Sequence, residues 1–144
     1  MSSGSSASSH QLRVVFDTNI YIAAFLRPGM SEELVKRGLY GEFTVLCSEY
    51  ILGELKRKMG TKFEFTAEQV GKYLDFIRKG TAIIEAPLVP KVILRDPDDN
   101  HILACAQAGK ANLIITLDKD LLDLKEWEGV AIVHPKTFSW IVSG

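Results

Sequence analysis

Cysteine is scarce in this 144-residue chain, which has only Cys47 and Cys105. Two cysteines cannot build a disulfide framework, and both sit in apolar runs, FTVLC and ILACA, where a thiol acts as a small buried hydrophobe. No Cys/His pairs recur at the spacing of a zinc site. No apolar run approaches the ~18–20 residues of a membrane-spanning helix, which argues against a membrane partner. The first ten residues, MSSGSSASSH, lack the basic start and apolar stretch of a signal peptide. They are expected to be a flexible tail or an expression scar, and the protein is expected to be cytoplasmic. There is no internal repeat and no interdomain linker.

The composition that remains, 47% hydrophobic and 24% charged, is that of an ordinary globular protein. Residues 11–144 are expected to form one domain, large enough to bury about two thirds of its unfolded surface without disulfides or a structural metal. Taken alone, the formal charge of −1 disfavours a nucleic-acid partner. Seven acids, however, fall in the motifs described below: Asp17, Glu54, Asp96, Asp98, Asp99, Asp118 and Asp120. Without them, eleven acids face seventeen bases. The balance permits nucleic acid without arguing for it.

Short β-rich runs alternate with helical patterns, the signature of a parallel sheet covered on both faces. The strands are expected at 12–16, 43–47, 81–85, 112–116 and 130–133. Helices are expected near 19–26, 31–40, 48–59, 66–79, 97–109, 118–125 and 136–142. Ser31, Ser48 and Thr66 stand at helix starts, the last with Gln69 at capping-box spacing. Gly80 and Gly109 stand where helices should stop.

In open parallel sheets, ligands bind at the carboxyl ends of the strands. Asp17 follows the first strand directly, and Asp118 follows the fourth by two residues. In RDPDDNHILACAQAG (95–109), Asp96 is a natural N-cap and Pro97 suits the first helical position. Asp99 then lies three, four and seven residues before Ile102, Leu103 and Ala106, in the apolar stripe itself. An inward carboxylate is costly to bury unpaired, and a metal ion would relieve it. Asp17, Asp118 and Asp120 could equally be simple helix caps, and Asp96 and Asp98 first-turn acids favoured by the helix dipole. On the third helix, Glu49 and Glu54 flank the apolar face symmetrically, and periodicity does not choose between them.

Taken together, VVFDTNI (14–20), SEYILGEL (48–55), RDPDDNHILACAQAGKA (95–111) and LIITLDKDLL (113–122) resemble the PIN-domain family, in particular the toxins of toxin–antitoxin pairs. The four blocks occur in the family's order and span nearly the whole chain after the tail. The resemblance implies a three-layer α/β/α sandwich with a parallel five-stranded sheet. It also implies a ribonuclease dependent on one or two Mg²⁺ or Mn²⁺ ions. Matched by motif, the family's acids fall on Asp17, Glu54, Asp99 and Asp118, as catalytic residues and metal ligands, with Asp120 as a helper. Thr18, Asn19, Ser48 and Thr116 match small polar supporting positions. An antitoxin protein and a homodimer are the partners implied, and RNA the substrate, cut to leave a 5′-phosphate and a 3′-hydroxyl.

Two other readings compete. Haloacid-dehalogenase-like phosphatases also place an aspartate after the first strand, but Asn19 stands where they carry a second acid. A non-catalytic RNA- or protein-binding module is the other. His10, His101 and His134 read as ordinary surface or boundary residues rather than a general base. Substrate could run over the basic runs at 56–62 and 78–79 beside Phe63, Phe65 and Tyr73, although those rings could equally belong to the core.

Overall fold

A computed structural model of the protein describes residues 12–143, so the tail expected at 1–10 lies outside the described residues. Five short strands run parallel: β1 (Arg13–Phe16), β2 (Thr44–Cys47), β3 (Ala82–Ile83), β4 (Leu113–Ile115) and β6 (Val130–Val133). Among the described residues, seven helices accompany them: α1 (Thr18–Leu26), α2 (Met30–Leu39), α3 (Glu49–Thr61), α4 (Ala67–Gly80), α5 (Asp99–Ala108), α6 (Lys119–Leu124) and α7 (Pro135–Ser143). Successive residues of the central strands are buried: Val14, Val15 and Phe16, Val45, Leu46 and Cys47, Leu113, Ile114 and Ile115. A strand buried at every position is covered on both faces, which is the three-layer arrangement expected.

The sheet has a sixth strand that the sequence does not announce. β5 (Glu126–Trp127) pairs antiparallel with β6 at the edge, with Trp127 opposite Val130. The two-residue turn between them puts Glu128 at φ 51° and Gly129 at φ 82°. Two left-handed residues give the turn whose twist suits a tight hairpin. A two-residue strand carries no readable period, so the expectation of five strands is corrected to six. β3 is likewise shorter than the expected run at 81–85.

Several local signals act as expected, and others for a different reason. Thr66 and Gln69 close a reciprocal capping box on α4, and Ser48 Oγ accepts from Ile51 N at the start of α3. Ser31 caps nothing, because α2 begins at Met30 behind Gly29. Gly109 ends α5, yet its φ is −88°, so left-handed freedom is not what it supplies. A Cβ there would lie 2.8 Å from Leu46 Cδ1. Gly109 is small because the helix end approaches β2 closely. Both cysteines are buried and free, and burial pushes their thiols up to about 12.

Between β3 and α5, residues 84–98 form no helix or strand. Asn100 anchors this stretch from the first turn of α5. Its Oδ1 accepts from Val92 N at 3.1 Å and Ile93 N at 2.8 Å, while its Nδ2 donates to Ile93 O at 2.8 Å. Removing the amide strands three backbone groups, at a cost of ~1–3 kcal/mol for each one left buried. Asn100→Ala is therefore expected to lower the melting temperature by roughly 6–12 °C, followed by circular dichroism. A shift within about 2 °C would show that the loop is held by other contacts.

Candidate active site

The strand order is β3-β2-β1-β4-β6-β5. From β1 the chain moves to β2 and β3 on one side, and β4, β5 and β6 fill the other side. The reversal opens a crevice at the carboxyl ends of β1 and β4, where doubly wound sheets bind ligands. Phe16 pairs with Ile115, so the residues that leave these strands, Asp17 and Thr116, emerge side by side. Thr116 Oγ1 donates to Asp17 Oδ2 at 2.8 Å and accepts from Asp118 N at 2.9 Å. One hydroxyl thus orients the acid of one loop and the backbone of the next.

Asp17 and Asp118 occupy the N-cap positions of α1 and α6, but neither side chain makes a capping hydrogen bond. They are placed like caps and spent elsewhere. Asp17 is buried, as is Asp99, which projects from the first turn of α5. That turn is tightly wound: Asp99 N bonds to Asp96 O and Asn100 N to Pro97 O. Asp96 Oδ1 accepts from Asp98 N at 3.2 Å, so Asp96 caps the turn although regular helix begins three residues later.

Glu49 and Glu54, which periodicity could not separate, have opposite fates. Glu49 is exposed and paired with Arg78 at 2.6 Å. Glu54 is buried, and its Oε1 accepts from Thr18 Oγ1 at 2.7 Å. Thr18 therefore links the start of α1 to the acid of α3. Asn19 is exposed, and Ser48 is buried as the cap of α3.

Three acids come closest together: one carboxylate oxygen each from Asp99, Asp118 and Asp120 lie within 4.8 Å of one another. Asp17 falls outside this tightest trio, although its charge and that of Asp118 act on each other. Asp120 also lies 3.9 Å from the exposed Arg95.

Two cations of α3 escaped sequence reasoning. Lys58 Nζ lies 3.7 Å and Arg57 3.9 Å from Glu54 Oε2. Their i+4 and i+3 spacing from Glu54 was the signal, hidden within an undifferentiated basic run. Tyr50 was missed too; its hydroxyl donates to Asp98 Oδ1 at 2.6 Å. The aromatic residues proposed beside the basic runs divide. Phe65 and Tyr73 pack on the core around Phe25, whereas Phe63 is exposed. His101 stacks on Tyr50, and His134 accepts from Lys136 N at the start of α7.

Crowding shows in the electrostatics. Burial raises Asp17 from 3.8 to about 6, with the Thr116 hydrogen bond opposing and Asp118 and Glu54 adding to the rise. Burial also raises Asp99, to about 9, helped by the close approach and the charge of Asp118. Asp99 Oδ2 and Asp118 Oδ2 are buried with no hydrogen-bond partner among the described residues. Hard oxygen donors, two of them orphaned, suit a small divalent cation of the Mg²⁺ class.

Both shifted carboxyls have folded-state values above the unfolded one, so the stability they contribute is full below about pH 4. It is lost as pH rises through about 6 for Asp17 and about 9 for Asp99. In EDTA, the wild-type melting temperature is expected to fall between pH 5 and pH 9. The Asp99→Asn variant should fall less and melt higher than wild type at pH 8, by roughly 5 °C or more. A variant that tracks the wild type across the range would overturn this account of the cluster.

A PIN-domain family profile matches residues 13–120. The uncharacterized protein MJ1680 of Methanocaldococcus jannaschii is 29% identical over 130 aligned positions, covering 81% of this chain and 77% of that protein. Among solved structures, VapBC2 from Rickettsia felis, bound to a DNA fragment from their promoter, matches with a TM-score of 0.62. It is 18% identical, covering 85% of this chain and 98% of that one. PAE2754 from Pyrobaculum aerophilum follows with a TM-score of 0.59 and 15% identity, covering 93% and 90%. FitAcB from Neisseria gonorrhoeae gives 0.52 and 15% identity, covering 85% and 98%. At such identities the structural likeness speaks for the fold, and the profile, matched along three quarters of the chain, speaks for descent: the chain belongs to the PIN-domain family.

Proposed function

We propose that this protein is a divalent-metal-dependent ribonuclease and the toxin of a toxin–antitoxin pair. The observation that carries this reading is the acid-lined crevice at the carboxyl rim, with two buried carboxylate oxygens that no group among the described residues satisfies. Membership in a family of nucleases gives the crevice its chemistry. The fold likeness to VapBC2 and FitAcB supports the narrower toxin reading. An antitoxin protein, a second copy of the chain and a cytoplasmic location belong to the same reading. Among the described residues, no helix is long and apolar enough to cross a membrane.

Asp99 and Asp118 would hold one or two Mg²⁺ or Mn²⁺ ions, with Asp17 completing the set and Asp120 helping. A bound ion would lower the pKa of a water and offset charge developing on the phosphate and the leaving oxygen. The protein's own groups do the positioning. Thr116 fixes the Asp17 carboxylate, and Thr18 fixes Glu54 so that its other oxygen can orient a water. Lys58, held near Glu54 without a hydrogen bond, is free to turn toward a phosphate oxygen. In-line attack by water would break the bond to the 3′ oxygen and leave a 5′-phosphate and a 3′-hydroxyl.

Wild type is expected to cut single-stranded RNA in Mn²⁺ or Mg²⁺ and to stop in EDTA. Asp99→Asn should lose at least about a hundredfold in rate, beyond the ~10–100-fold that outer partners of a metal site usually contribute. Thr116→Val, which leaves Asp17 unoriented, should fall within that smaller range. Anomalous scattering from a Mn²⁺-soaked crystal should peak among Asp17, Asp99 and Asp118. Cleavage that persists in EDTA, or in Asp99→Asn, would remove the basis for this reading.

A further inference from the structure

Tyr50 near the start of α3 and His101 in the first turn of α5 stack face to face, their centroids 3.4 Å apart and their planes 7° apart. The Tyr50 hydroxyl bond to Asp98 fixes this pair against the turn that carries Asp99. Beside the rings opens a cavity of about 370 Å³, lined also by Ile83, Ile84, Pro87 and Ala104. A second hollow of about 350 Å³ shares Tyr50 with it and reaches Glu54 and Arg57. Tyr50 thus stands between an apolar hollow and the Glu54 end of the acid cluster. The mechanism above uses neither ring.

Apolar and aromatic walls with few polar groups are what a small-molecule or base subsite requires. Unstacked bases of single-stranded RNA settle against aromatic side chains, which tolerate any base because each has a π face. The charged groups at this hollow are Glu49, which Arg78 engages, and Glu85. A carboxylate accepts hydrogen bonds and repels phosphate, so beside Glu85 a base edge fits and a phosphate does not. The neighbouring hollow adds a cation, Arg57, but Glu49 and Glu54 line it as well, so it supplies no net positive charge.

We propose that this hollow receives the base of a nucleotide next to the scissile phosphate, with Tyr50 and His101 as its aromatic wall. The inference rests on the ribonuclease reading and assigns that reaction a subsite for sequence or strand recognition. Double-stranded RNA, whose bases stay stacked, would not reach it.

RNA oligonucleotides with one abasic residue at successive positions around the cut bond test this on the full chain. In wild type, a lesion at one position beside the cut should raise KM about tenfold or more, in line with the loss of one base stack. Tyr50→Ala should be indifferent to the lesion there, whereas Tyr50→Phe, which keeps the ring and loses the bond to Asp98, should still show a higher KM for the lesion than for intact RNA. A binding readout runs in parallel: 2-aminopurine at that position should be quenched by Asp99→Asn protein and not by Asp99→Asn with Tyr50→Ala. Should Tyr50→Ala fail to fold, Ile84→Trp fills the hollow and should abolish the same quench. Wild-type cleavage that ignores every abasic position overturns the base subsite and leaves the ribonuclease reading intact. Absence of any cleavage overturns that reading, and the quench then decides by itself whether the hollow takes a base.

Discussion

Carboxylates withdrawn from water beside one another resist ionisation, and this molecule places several of them at one rim of its sheet. Each is costly to bury alone, and their mutual repulsion adds to the cost. The surroundings relieve the strain only in part. Thr116 donates to Asp17, Thr18 donates to Glu54, and Lys58 and Arg57 stand near Glu54 without closing a hydrogen bond. Asp99 and Asp118 keep buried oxygens with no partner among the described residues. A fold that retains such a cluster is stabilised by whatever cation enters it, which ties ligand binding to folding stability.

The same constraint explains why the polar supports are short side chains. A threonine hydroxyl gives its one proton in a fixed direction and carries no charge that would compete with an incoming cation. A lysine or arginine bonded to each acid would neutralise the cluster and fill it. The cations that are present reach only its margins: Lys58 and Arg57 of α3 stand near Glu54, and the exposed Arg95 lies 3.9 Å from Asp120. The centre of the cluster, at Asp99 and Asp118, is thereby left without a neutralising side chain among the described residues.

The turn before α5 joins these features. Asp96 caps it, Asp98 holds Tyr50, Asp99 enters the crevice, and Asn100 holds the loop at 92–93. Four of the five consecutive residues 96–100 therefore set the positions of the acid cluster, the aromatic pair and the long loop together. That concentration follows from a helix start, where backbone N–H groups are free and side chains diverge in every direction within one turn.

Much of this was legible in the chain. Continuous apolar runs fixed the strands as doubly buried, and the order of strand and helix fixed a parallel layered sheet, because periodicity is a local property. The inward direction of Asp99 followed from the same counting. The sequence could not separate Glu49 from Glu54, since both flank the apolar face equally; only the packing of α1 against α3 brought Thr18 to one of them and left the other to Arg78. Nor could it reveal β5, too short for a period, or Asn100 and Tyr50, whose partners come from other segments. Local pattern determines which elements form and which way their faces point. What each polar side chain meets across the crevice depends on strand order and register, and those exist only once the sheet has assembled.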